Sequence, residues 1–158
     1  MNESNVNNFA DNIHTPSKEQ AMINNFVDNI NSLSKENVDE VLNNIYTQEV
    51  EFIDPVKGIK GIEELKNYFS DLYESVDHCN FDITNYLYQE DMHAIEWVMS
   101  LKHKKLSKND LIKLNGCSFV RFENNKVCYH RDYYDLGALI YERLPLIGFA
   151  VKSVRNAF

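Results

Sequence analysis

The chain has 158 residues, 44% of them apolar and 12% aromatic, which predicts one folded domain with a sizeable core rather than a disordered polymer. Its net charge of −8 argues against a surface built to hold phosphates, so no nucleic-acid partner is expected. Three cysteines without a Cys-x-x-Cys pair fit free thiols in a reducing cytoplasm, and neither they nor the five scattered histidines show metal-ligand spacing.

Residues 1–15 are polar and Asn-rich, with no basic stretch leading into an apolar run, so they read as a flexible leader rather than a signal peptide. Ser17-Lys18-Glu19-Gln20 has capping-box form. Met22, Ile23, Phe26, Val27 and Ile30 then lay an apolar stripe along a first helix. A second helix opens at Ser34 and runs through Val38, Val41, Leu42 and Ile45. Residues 49–54 read as a strand stopped by Pro55, because the residue before a proline avoids helical geometry. Gly58 and Gly61 bracket a turn, and Ile62, Leu65, Phe69, Leu72 and Val76 mark a third amphipathic helix.

From Phe81 the apolar period shortens to alternation, which predicts strands near 80–89, 92–104, 110–123 and 126–136. Asn124-Asn125 tolerates the positive φ of a tight hairpin, so the last two strands should pair. Lys102, Lys104 and Lys105, beside His103, read as a solvated hairpin. Helices followed by an antiparallel meander predict an α+β domain over residues 16–137, its sheet curled over three N-terminal helices. Residues 138–158 predict a short helical extension that packs on the body or closes a pocket mouth; Lys152 and Arg155 alone are weak grounds for a membrane surface. No stretch approaches the length of a bilayer span, so no integral membrane contact is expected.

One segment is too rich in ionisable groups to be only a strand. Residues 129–135 read Tyr-His-Arg-Asp-Tyr-Tyr-Asp. Strand alternation turns His130, Asp132 and Tyr134 to one face and Tyr129, Arg131, Tyr133 and Asp135 to the other. Whichever face is covered carries an ionisable group inside, which is costly unless that group is paired or functional.

Over residues 20–136 this order of elements resembles the nuclear transport factor two-like superfamily, a cone of strongly curved mixed or antiparallel sheet packed on three helices around one pocket. Two short motifs carry the resemblance. Residues 50–56, Val-Glu-Phe-Ile-Asp-Pro-Val, look like the strand of ketosteroid isomerases that ends in the general-base aspartate; residues 131–135 look like the last strand of limonene epoxide hydrolase, where the aspartate matched by Asp132 activates water. The last third, through Tyr141-Glu142 and Leu144-Pro145, is similar to a SnoaL-like subgroup without a settled activity. Departures are as plain as matches. The isomerase oxyanion partners fall at Phe26 and Ser118, the hydrolase arginine and second aspartate at Trp97 and Met99, and its tyrosine and asparagine at Phe52 and Asp54. Neither catalytic set is complete, so neither activity carries over.

The resemblance and alternation together imply a cavity walled by Phe52, Asp54, Trp97, Met99, Leu114, Ser118, His130, Asp132 and Tyr134, with Phe26 from the first helix. Apolar walls with a few convergent polar groups are the make-up of a small-molecule site. Asp54 and Asp132 in one such space would form an acid and a base side by side, with Asp132 as the base and His130 beside it. The expected activity is cofactor-free general acid–base chemistry of isomerase, cyclase or hydrolase type on a small hydrophobic molecule, in a homodimer. Other readings stay open. Asp54 also fits a turn anchor, Asp132 a structural pair and His130 a satisfied strand histidine. The whole could be a non-catalytic carrier, or a dimerisation module whose vestigial cavity is filled by Trp97, Met99 and Tyr134.

Overall fold

A computed structural model describes residues 17–106, 110–144 and 147–157, so the expected leader at 1–15 lies outside the described residues. The elements are α1 (Lys18–Asn31), α2 (Val38–Ile45), β1 (Tyr46–Ile53), β2 (Gly58–Lys60), α3 (Ile62–Tyr73), β3 (Val76–Gln89), β4 (Met92–His103), β5 (Ile112–Glu123), β6 (Lys126–Tyr134), α4 (Leu136–Leu139), a 3-10 turn (Tyr141–Arg143) and α5 (Ile147–Arg155). Ser17 caps α1 as expected, its hydroxyl accepting from the Gln20 amide at 3.1 Å, and Ile23 and Phe26 form the buried stripe. Val38, Val41, Leu42 and Ile45 are all buried on α2.

The six strands form one open sheet in the order β2-β1-β6-β5-β4-β3. From β3 to β6 it is the expected antiparallel meander, and Asn124 and Asn125 take φ of 51° and 64° at the last hairpin. β1 joins it parallel to β6, with Phe52 opposite His130. That single parallel joint carries the end of β1, and therefore Asp54, alongside the charged segment of β6. Register shifts between Ile83 and Asn85 and between Arg121 and Phe122 mark irregularities of the kind that bend a sheet.

Several boundaries differ from the sequence reading. α2 opens at Val38 rather than Ser34, whose amide is held by the Asn37 side chain in the preceding turn. β1 begins at Tyr46, three residues before the expected 49, because α2 hands over to it without a loop. Residues 58–60 are a short edge strand rather than only a turn; Ile59 is buried opposite Phe52, and Gly61 breaks the strand with a φ of 85°. Val76, which also fits a helical period, opens β3 once α3 has stopped at Tyr73. β6 ends at Tyr134, and Asp135 caps α4 by accepting from the Ala138 amide.

The tail folds on itself. Arg155 pairs with Glu142, and a Cβ at Gly148 would lie 2.4 Å from the Glu142 carbonyl oxygen, so only glycine lets α5 sit this close to the 3-10 turn. Among the described residues no helix is long and apolar enough to cross a membrane.

Candidate functional site

Helices α1 and α3 and the inner face of the sheet enclose a cavity of ≈ 300 Å³. It meets solvent beside Val56 and Leu72, which line it and are both exposed. Phe26, Phe52, Asp54, Trp97, Met99, Ser118, His130, Asp132 and Tyr134 all border it, the strand residues as alternation predicts and Phe26 as the resemblance implies. Leu114 does not. It is buried opposite Met99, but α4 packs back on β5 and presents Leu139 to the space instead.

The two carboxylates have different surroundings. Asp54 sits where β1 ends before Pro55 and anchors the turn, its Oδ1 accepting from the Val56 and Lys57 amides at 2.7 Å each. Its Oδ2 accepts from the Tyr68 hydroxyl at 2.6 Å. Asp132 is held on one side only: its Oδ1 accepts from Ser118 Oγ at 2.5 Å and lies 2.8 Å from His130 Nε2. Its Oδ2 has no hydrogen-bond donor among the described residues.

Behind Asp132 runs a chain of buried partners. The Trp97 indole N–H donates to Ser118 Oγ at 2.8 Å, and Ser118 donates onward to Asp132. On the other branch Tyr46 Oη lies 2.7 Å from His130 Nδ1, with its ring stacked on the imidazole. One ordering of protons satisfies every group: Tyr46 donates to Nδ1, and Nε2–H donates to the Asp132 carboxylate. His130 is then neutral with both nitrogens occupied, and Phe26 and Phe52 hold its ring edge-on. It borders the cavity with both ring nitrogens turned to protein partners. The Trp97 ring is fixed too, since a Cβ at Gly116 would fall 2.1 Å from it.

The hydroxyls around the cavity are kept protonated. Burial, and then the Asp54 and Asp132 charges, push the Tyr134 hydroxyl up. Burial and the hydrogen bond to Asp54 push up Tyr68, and burial raises Tyr46 strongly. Tyr134 Oη makes no hydrogen bond among the described residues, which leaves a free donor two residues along the strand from the free Asp132 oxygen. Burial pushes the Cys79 thiol in the wall up to about 12, so it is no ready nucleophile.

Sequence reasoning missed Tyr46 and Tyr68. Tyr46 lies just outside the strand as predicted, while Tyr68 adjoins Phe69 on the helix face that turns inward, a polar tip on an apolar stripe.

This arrangement of helices, open curved sheet and cavity is the nuclear transport factor two-like fold. The chain belongs to the SnoaL-like domain family, whose model matches residues 24–130, more than half of its length. A protein with a ketosteroid isomerase-like fold from Catenulispora acidiphila, in complex with trimethylamine, is similar with a TM-score of 0.66 and 13% identity, over 79% of this chain and 91% of that one. A candidate polyketide cyclase from Acidithiobacillus ferrooxidans aligns with a TM-score of 0.63 and 18% identity, over 78% and 92%. TerC, co-crystallised with polyporic acid, aligns with a TM-score of 0.61 and 11% identity, over 75% and 92%. At these identities the likeness is one of fold. No curated protein matches the chain in sequence.

Proposed function

We propose that this protein catalyses cofactor-free proton transfer next to a carbonyl group in a small apolar molecule, the chemistry of an isomerase or cyclase. The observation that carries this reading is the asymmetry of Asp132: Oδ1 fixed by two donors, Oδ2 free in an apolar cavity. Oδ2 takes a proton from the carbon beside the carbonyl, and the Tyr134 hydroxyl donates to the oxygen on which charge builds. Return of the proton to another carbon completes an isomerisation; in a cyclisation the enolate carbon attacks a second carbonyl of the same molecule, and the alkoxide so formed takes the proton back from Asp132. His130, Ser118 and Trp97 orient the base; Asp54 and Tyr68 shape the mouth. A candidate polyketide cyclase on the same fold is consistent with this class of reaction.

Deuterium uptake from D2O into a panel of apolar ketones and β-keto esters tests it. Wild type should exchange the protons beside the carbonyl and Asp132→Asn should not; equal exchange by the two proteins sinks the reading.

The carrier reading draws on the almost wholly apolar wall, and it is preferred if ligands bind without any exchange. A vestigial cavity is disfavoured, since Trp97, Met99 and Tyr134 border the space without filling it. We further infer a homodimer built on the outer sheet face, where Leu87, Phe119 and Tyr133 are exposed and Arg131 and Glu96 offer opposite charges to a twofold copy. A monomer mass in solution, unaltered by Tyr133→Glu, would rule that out. The free thiols Cys79, Cys117 and Cys128 fit the expected reducing cytoplasm.

A further inference from the structure

The wall of the cavity carries charge of one sign. Among the described residues that line it, Asp54 and Asp132 are carboxylates and none is Lys or Arg. The two histidines do not offset them: His130 accepts from Tyr46 at Nδ1 in the proton order that satisfies the network, and burial, assisted by Lys105, holds His103 below its ordinary range. A ligand carboxylate would therefore enter a poorly solvated space beside like charge, with no cation to receive it.

A protonated amine is drawn toward these carboxylates, but it must shed its water in exchange for few open acceptors. An ammonium group brings three donors, and both Asp54 oxygens and Asp132 Oδ1 already accept from the protein, leaving Asp132 Oδ2 as the one carboxylate oxygen without a donor. A carbonyl oxygen asks for less, a donor that Tyr134 Oη can supply. The two carboxylates, Ser118 and Tyr134 also crowd one end, with His103 beyond the far one. Ser118 and Asp132 lie in register with Ile95, while further along β4 the wall becomes Met99 and Leu101, faced across β3 by Phe81 and Cys79.

We propose that the cavity selects an uncharged amphiphile, a hydrocarbon body ending in a carbonyl group, with the oxygen at Tyr134, the carbon beside the carbonyl at Asp132 and the hydrocarbon toward Leu101, and that it excludes the carboxylate of the same skeleton. This rests on the site assignment above but not on turnover. Trp97 is the single tryptophan of the chain and borders the cavity, so its fluorescence reports occupancy directly. Methyl nonyl ketone, decanoate and decylamine, each below its micelle threshold at neutral pH, are the probes. The ketone should bind at least about tenfold tighter than decanoate. Tyr134→Phe should weaken the ketone by about tenfold, while Asp132→Asn should strengthen decanoate. Equal or tighter binding of decanoate, tightest binding of decylamine, or no quenching by any of the three overturns the proposal. The ranking in wild type decides even if a variant fails to fold. A protein that prefers the ketone yet exchanges no protons keeps this inference and loses the catalytic one; a protein that exchanges protons but takes decanoate equally well does the reverse.

Discussion

Asp54 and Asp132 border one cavity and have the same side chain, yet the ends of β1 and β6 give them different surroundings. At the end of β1 the chain must turn, and Asp54 supplies acceptors to two backbone amides and to Tyr68. Two residues before β6 ends the strand is still held by its ladder, so Asp132 is released from any turn and is steadied through Oδ1 alone. A carboxylate serves as a base only with an oxygen to spare. In the proposed reaction, donor count, rather than residue type or burial, separates a structural acid from a reactive one.

The contrast between the two acids breaks most sharply under neutralisation. Asp132→Asn keeps an acceptor for Ser118 and His130 but removes the base, so proton exchange should fall by a factor of about a thousand with little change in Tm. Asp54→Ala should do the reverse. It strips acceptors from two turn amides that water can reach and from the part-buried Tyr68 hydroxyl, so urea unfolding should show a loss of about 2 kcal/mol. Exchange by the folded fraction should drop less than about tenfold, the scale of an indirect effect. If Asp54→Ala cost as much rate as Asp132→Asn, the two acids would be a working pair and the distinction would be lost.

Smaller, and aimed at the support behind Asp132, is Tyr46→Phe. It leaves His130 Nδ1 buried without its donor, which costs about 1–2 kcal/mol, and it frees the imidazole to turn. The exchange rate at saturating ligand should fall while ligand affinity, read from Trp97, holds; a purely structural tyrosine would lower stability and leave the rate of the folded protein unchanged.

Much of this site is legible in the sequence alone. Alternation along β6 places His130, Asp132 and Tyr134 together, and Pro55 marks where β1 has to stop with Asp54 at its end. The hydrogen bond that ties His130 to Tyr46 is not legible there, because it joins residues 84 apart in sequence. Periodicity reports which face a residue takes, not what waits on that face. Leu114 shows the same limit: its face is the expected one, but the tail that covers β5 belongs to a segment with no period strong enough to place it.

The smallest expected effect guards the interpretation of pH. His93 is 4% exposed on β4, stacked on Tyr86 and Tyr88 with Phe122 edge-on, and burial lowers its pKa from 6.5 against the weaker opposing pull of Glu19 and Asp91. A depressed histidine is neutral in the folded state, while the unfolded chain takes up the proton near its ordinary value. The stability it contributes is therefore present above about pH 6.5 and lost as pH falls below that, with His103, also depressed, acting in the same direction. His93→Phe keeps an aromatic ring in the stack and removes the titration, so the fall in Tm between about pH 7 and about pH 5 should shrink without vanishing. His93 is not among the residues that line the cavity, so the same variant should leave proton exchange at neutral pH unaltered. If the acid fall in Tm is as steep in His93→Phe as in wild type, this buried histidine is not its source. If the variant instead flattens the acid limb of the exchange rate as well, that limb reports unfolding and says nothing about the base in the cavity.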